Sequence, residues 1–254
     1  MSAAFDAHAL ARLFVETRAH RAQLNSLPAG LRPGHSDEAC AAQDATLRAL
    51  DAAIGGWKVG AKSADGPIQG APLPASGVQP SGARLAMSAF GRAGLELEVA
   101  FRLGRRFEPG SGPYAEEEIL ASIESVHAAI EIVASRFAAW PDVDKLWQLA
   151  DLQNHGALIV GDGVPYDASY PFVAPVMTFE YDGAPLFDGT PANPAGDPRR
   201  LLAWTVNHCV SRGHALERGT VLTAGSYTGM AFPKAPGTAL GRIEGLPPVE
   251  LHFA

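Results

Sequence analysis

Glu96 and Glu98 stand two residues apart in Gly94-Leu95-Glu96-Leu97-Glu98-Val99-Ala100-Phe101, and a third carboxylate, Glu131, follows in the run Ile130-Glu131-Ile132-Val133. Leu95, Leu97, Val99, Phe101 and Leu103 alternate strictly. That is the period of a strand with one buried face, so the two glutamates share the other face. Side chains so spaced are about 6.6 Å apart along the backbone, close enough for two flexible carboxylates to reach one ion. Glu131, facing away from Ile130 and Ile132 on a neighbouring strand, would complete one side of an octahedral oxygen site. A hard cation such as Mg²⁺ or Mn²⁺ suits such donors and keeps positions open for water or a bidentate substrate. Alternating glutamates are also the ordinary pattern of a solvated strand face, so the pair by itself leaves both readings open.

The elements that must hold these residues can be read from the same sequence. The 254 residues are 47% hydrophobic and 19% charged, a globular balance. The 27 Gly and 20 Pro imply many turns between short strands. The expected class is α+β: a helical N-terminal region over residues 1–55, then a strand-rich body over residues 56–254. Leu10, Leu13, Phe14 and Leu24 predict a helix over residues 8–25. Cys40, Leu47, Leu50 and Ile54 predict a second helix, with Ser36 as N-cap and Gly55-Gly56 as its stop. Tyr114 to Ser125 reads as a helix leading into a strand around His127 to Val133. A last helix is expected from an Asp197 cap and Pro198 to Gly213, followed by closing strands at Thr220 to Ala224 and Val249 to Phe253. Gly110-Ser111-Gly112 and Gly161-Asp162-Gly163 read as turns, since they lack the surroundings of a nucleotide fingerprint.

A net charge of −7 disfavours nucleic acid, which is held by clustered Lys and Arg. An anionic substrate would then need a local cation, either a metal or an inward lysine. Two cysteines, Cys40 and Cys209, make neither a disulfide framework nor a zinc cluster. No basic start with an apolar run and no long apolar segment are present. The expectation is a cytoplasmic protein without membrane contact.

Five motifs occur in order: Gly56-Trp57-Lys58-Val59-Gly60, the Glu96/Glu98 strand, Ala128-Ala129-Ile130-Glu131-Ile132-Val133-Ala134-Ser135-Arg136, Ala150-Asp151 with Gly156, and Gly219 to Gly229. This series resembles the 2-keto-4-pentenoate hydratase and 4-oxalocrotonate decarboxylase family, a branch of the fumarylacetoacetate hydrolase superfamily. The resemblance runs from about Gly56 to the C-terminus. It implies a fumarylacetoacetate-hydrolase-like β-roll around a metal site, with Glu96, Glu98 and Glu131 as ligands to Mg²⁺ or Mn²⁺. It also implies a catalytic Lys58, with Lys62, Ser135, Asn154 and Ser226 toward the substrate. On residues alone Lys58 could be a surface lysine of an edge strand, which is the commoner case. The sequence departs from the family at several points. Lys62 stands where the family has threonine, and Gly77 to Gly82 carries no acidic residue. Ala134-Ser135-Arg136 replaces D-S-R, and Ala150-Asp151-Leu152-Gln153-Asn154-His155-Gly156 replaces A-D-N-A-S-S-G. His127 shares strand parity with Glu131 and is either site-facing or packed. His155 is either a proton shuttle or a polar loop residue.

The expected function is therefore a divalent-metal-dependent lyase on a small 2-keto acid, hydrating a 2-hydroxy-alkadienoate. The alternatives are a decarboxylase of a 4-oxalocrotonate-type diacid, a C–C hydrolase of an acylpyruvate, or a non-catalytic metal-binding partner subunit. The resemblance further suggests a homo-oligomer, or a complex with a related enzyme of the same pathway.

Overall fold

The computed structural model describes residues 4–254. Two helices come first, α1 (Ala7–His20) and α2 (Ser36–Ala49). Strands β1 (Ile54–Ala61), β2 (Ile68–Pro74), β3 (Val78–Pro80), β4 (Ala83–Leu85) and β5 (Gly94–Leu103) follow, then α3 (Glu116–Ala121), β6 (Ile123–Val133) and α4 (Lys145–Ala150). The rest is β7 (His155–Pro165), β8 (Met177–Tyr181), β9 (Ala184–Pro185), α5 (Arg199–Ser211), β10 (Val221–Ser226), β11 (Gly237–Ile243) and β12 (Val249–Phe253).

The strands form two sheets. One has seven strands in the order β2-β1-β10-β5-β6-β7-β3, and the other has five in the order β4-β12-β11-β8-β9. Within the larger sheet, β1 pairs parallel with β10, while β10, β5, β6 and β7 run antiparallel to one another. Leu95, Leu97, Val99 and Phe101 are fully buried and pack in one cluster with Val249 and Leu251 of the smaller sheet and with Leu202 and Val206 of α5. That face is the main core. The opposite face holds a smaller cluster, Leu73, Ala100, Ala129, Leu158 and Val221, and it is this second face that carries the glutamates. α1 and α2 close it at one end through Leu10, Phe14, Ala39 and Ala42, packed on Val133, Phe137, Trp140 and Leu149. No described helix is long and apolar enough to cross a membrane.

Several local expectations need correction. α1 stops at His20, not near residue 25, because Arg21 turns left-handed (φ 51°) and the chain becomes extended, bridging Leu24 to Phe137. The N-cap of α2 is His35, with Ser36 the first helical residue; Glu38 instead accepts the Gly34 N–H at 2.7 Å. Gly55 and Gly56 do not end α2 but lie in β1. A Cβ on Gly56 would lie 2.6 Å from the Val221 carbonyl oxygen, so glycine is needed there for strand contact. The helix expected from Tyr114 is limited to Glu116–Ala121, and Ile123 already begins β6. Gly161 to Gly163 is no turn either; it lies within β7, where a Cβ on Gly163 would strike the His127 ring at 2.3 Å. The strand expectations for Leu95 to Leu103 and Val249 to Phe253 agree with β5 and β12. α5 begins one residue after Pro198, and the Asp197 carboxylate accepts the Arg199 N–H at 3.0 Å.

Candidate metal centre

β5 and β6 pair so that Glu96 lies directly opposite Glu131 and Glu98 opposite Ala129. Strand period and register together bring the three carboxylates onto one face, with one oxygen of each within 4.8 Å of the others. Glu98 and Glu131 are buried, while Glu96 is half-buried at the cavity edge.

Each carboxylate is held differently. Glu98 accepts hydrogen bonds from the Thr223 hydroxyl and, at 3.1 Å, from the Gly225 N–H. Both donors come from β10, whose pairing with β5 slips between Thr223 and Ser226, and Gly225 takes φ 86° at that slip. Glu131 accepts from the Lys58 ammonium. Lys58 sits on β1 opposite Thr223, an interior strand rather than an edge, and is 8% exposed. Its ammonium also donates to the Gln153 carbonyl oxygen at 3.1 Å.

The carboxylates fit a divalent cation. Burial and the neighbouring Glu131 push Glu96 up to about 7, and burial with Glu131 and Glu96 pushes Glu98 well above the carboxylate range. Two carboxyl groups held back from ionisation beside a third, with only oxygen donors, form the environment that a hard divalent ion relieves. Lys58 supplies one positive charge, too little for three carboxylates. A cavity of about 500 Å³ opens beside them, lined by Lys58, Lys62, Glu96, Glu98, Glu131 and Ser226 among others.

Not every expected substrate residue lies here. Lys62 is exposed at the cavity rim and Ser226 lies in its wall. Ser135 lies elsewhere: its hydroxyl accepts the Phe137 N–H at 3.2 Å, and it borders a separate cavity beside Arg18 and Arg136. Asn154 is buried and donates to the Gln148 side chain at 3.1 Å, and it borders only a neighbouring lobe of the cleft. His127 is the packed histidine of the two readings, bonded through Nδ1 to Gly161 O at 2.9 Å and through Nε2 to the Ser125 hydroxyl at 2.8 Å. His155 is the first residue of β7, not a loop residue. It is fully enclosed, lines none of these cavities, and is held well below the usual histidine range by burial and by Lys58, Arg18 and Arg136.

Three contributors escaped the sequence reading: Gln153, Thr223 and Asn193. Leu152, Gln153 and Asn154 all take positive φ (49°, 53° and 58°) without a glycine among them. Such a run is uncommon and must be held by its surroundings. Asp151 holds it, accepting from Arg18 Nη2 at 2.9 Å, Arg136 Nε at 2.8 Å and the Arg136 N–H at 3.1 Å. The turn thereby aims the Gln153 carbonyl at Lys58. Asn193 donates to the carbonyls of Ala224 and Gly225, bracing the slip that holds Glu98.

No family model matches the chain. A 2-keto-4-pentenoate hydratase of Burkholderia vietnamiensis is 29% identical over 159 residues, covering 63% of this chain and 60% of that protein. A 4-oxalocrotonate decarboxylase of a Pseudomonas species is 32% identical over 138 residues, covering 53% and 50%. The matched stretches thus span half to three-fifths of these relatives' length. Among solved structures, the 4-oxalocrotonate decarboxylase of Pseudomonas putida G7, complexed with magnesium and adipate, superposes with a TM-score of 0.84 at 18% identity over 98% of this chain and 97% of that one. A fumarylpyruvate hydrolase of Pseudomonas aeruginosa, complexed with Mn²⁺ and pyruvate, gives 0.56 at 18% identity over 78% and 88%. The chain has the fold of the fumarylacetoacetate hydrolase superfamily, and its resemblance to the hydratase and decarboxylase branch extends beyond the motifs.

Proposed function

We propose that this protein is a divalent-metal-dependent lyase acting on a small 2-keto acid, and that it hydrates a 2-hydroxy-alkadienoate to a 4-hydroxy-2-keto acid. The observation that carries the proposal is the meeting of Glu96, Glu98 and Glu131 within 4.8 Å beside a buried Lys58. Glu96, Glu98 and Glu131 would hold Mg²⁺ or Mn²⁺, which when bound supplies Lewis acidity toward the keto and carboxylate oxygens of the substrate. Ligation would keep the three glutamates ionised and out of proton transfer. Thr223 and Gly225 fix the direction of the Glu98 carboxylate. Lys58 places a proton-bearing ammonium at the cavity wall, where it can donate to substrate carbon or oxygen as charge moves. Lys62 at the rim favours an anionic substrate.

A second reading, decarboxylation of a 2-keto diacid, is favoured by the near-complete superposition on a 4-oxalocrotonate decarboxylase. The same assay separates the two: loss of dienol absorbance without CO₂ marks hydration, and CO₂ without hydrated product marks decarboxylation. Either activity should vanish with EDTA and return with Mg²⁺ or Mn²⁺. Full activity in metal-free protein would end the proposal.

The division into residues 1–55 and a catalytic body over residues 56–254 belongs to this proposal. It is supported by the two helices that precede β1. A homo-oligomer belongs to it as well: the chain should elute well above 26.6 kDa on sizing, and a monomer at micromolar concentration would count against it.

A further inference from the structure

The cleft continues past the candidate metal ligands. A second cavity of about 500 Å³ lies on the far side of Glu96 and shares Lys58, Lys62, Gln69, Glu96, Lys145 and Gln153 with the first. The two are lobes of one cleft, with Glu96 between them. A lobe of this size lies in the roughly 300–1,000 Å³ range that holds a drug-sized ligand. The acidic lobe alone already has space for a five-carbon acid.

The far lobe has a different wall. Trp140, Met230 and Phe232 line it, with the Trp140 and Phe232 rings edge to face at 5.7 Å. The Arg92 guanidinium lies 4.1 Å from the Phe232 ring centre and 5.8 Å from that of Trp140, capping the aromatic pair. The backbone explains their convergence. Leu95 and Ala231 exchange N–H···O bonds at 2.7 and 3.0 Å, so strand parity puts Met230 and Phe232 on the same side as Gly94 and Glu96. Gly94 makes room for them: a Cβ there would sit 2.4 Å from the Met230 sulfur and 3.2 Å from the Phe232 ring. Met230 is 36% exposed, one of three large apolar side chains exposed among the described residues. A thioether and aromatic edges are the surface against which another ring packs well.

We propose that the cleft accepts a 2-keto acid with an aromatic tail, its keto-acid end at the carboxylate cluster and its ring against Met230, Phe232 and Trp140. This rests on the 2-keto-acid reading given above. The test is calorimetric binding of 4-phenyl-2-oxobutanoate and of 2-oxobutanoate to the full chain at saturating Mg²⁺. The phenyl acid should bind tenfold or more tightly than the short one. Phe232→Ala should bring the phenyl acid to within about threefold of 2-oxobutanoate without moving the latter. Met230→Ser, a change at an exposed position that leaves the core intact, should cut the same preference by about threefold. Equal affinity of the two acids for the unaltered protein overturns the tail site alone. A preference that survives both substitutions overturns its location. If neither acid binds, the 2-keto-acid reading falls and the tail site with it.

Discussion

Lys58 is tied to Glu131 on one side and to the Gln153 carbonyl on the other, so its ammonium is positioned before any substrate arrives. Lys58→Met removes the charge and the donor but keeps the buried volume. It should lower kcat/KM on the best 2-keto acid by about a hundredfold or more, the scale of a positioned acid or base, while metal affinity persists. A lysine that only balanced Glu131 would leave kcat/KM nearly unchanged once metal is bound. Lys62 makes the contrast, because it is exposed at the rim. Lys62→Thr should alter substrate preference or the pH optimum of turnover and leave metal dependence as it was. Steady-state kinetics on both variants, with metal titrations alongside, distinguish the two roles.

At the scale of elements, the site is a product of register. Strict alternation in Leu95 to Leu103 made the shared face of Glu96 and Glu98 legible from sequence, because strand period is a local property. The opposition of Glu96 to Glu131 was only half legible: the β-branched run identified β6, but pairing is decided by the whole sheet. The turn at Leu152 to Asn154 was not legible at all. No glycine marks its left-handed backbone, which is imposed by Arg18 and Arg136 converging on Asp151 from distant parts of the chain. The glycines of β1 and β7 misled for a related reason, since they answer to a neighbouring carbonyl and a neighbouring histidine and not to a turn. The Asp151 pairing itself can be tested. Asp151→Asn leaves the buried Arg136 guanidinium and the partly exposed Arg18 guanidinium facing each other without their counter-charge, and urea unfolding should show a loss of about 3 kcal/mol. Because the same turn aims the Gln153 carbonyl, kcat should fall with it. An Asp151→Asn protein with unaltered stability would show that the arginines find other partners.

Over the whole molecule, a chain of net charge −7 gathers three acids in one place, two of them buried, and its stability should record that burden. Glu96 is raised to about 7 from the ordinary 4.5. Between those values the Glu96 carboxyl binds more protons in the folded metal-free protein than in the unfolded chain. Its contribution to stability is therefore unaffected below about pH 4.5 and falls as pH rises toward 7; the raised Glu98 acts in the same sense, and the lowered His155 and His208 oppose both. Thermal unfolding of the metal-free protein beside Glu96→Gln isolates this part: the unaltered protein should lose more stability than the variant as pH rises across that window, with Mg²⁺ protecting most at the upper end. Binding of metal at pH 6 should release protons for the same reason. The most direct measurement is Mn²⁺ binding to metal-free protein, followed by calorimetry or by the loss of the free-ion electron spin resonance signal. One site per chain is expected, weakened at least tenfold by Glu96→Gln and by Glu131→Gln while circular dichroism shows the fold retained. Mn²⁺ binding left unchanged by both substitutions, or an unaltered protein that binds no Mn²⁺, would contradict it.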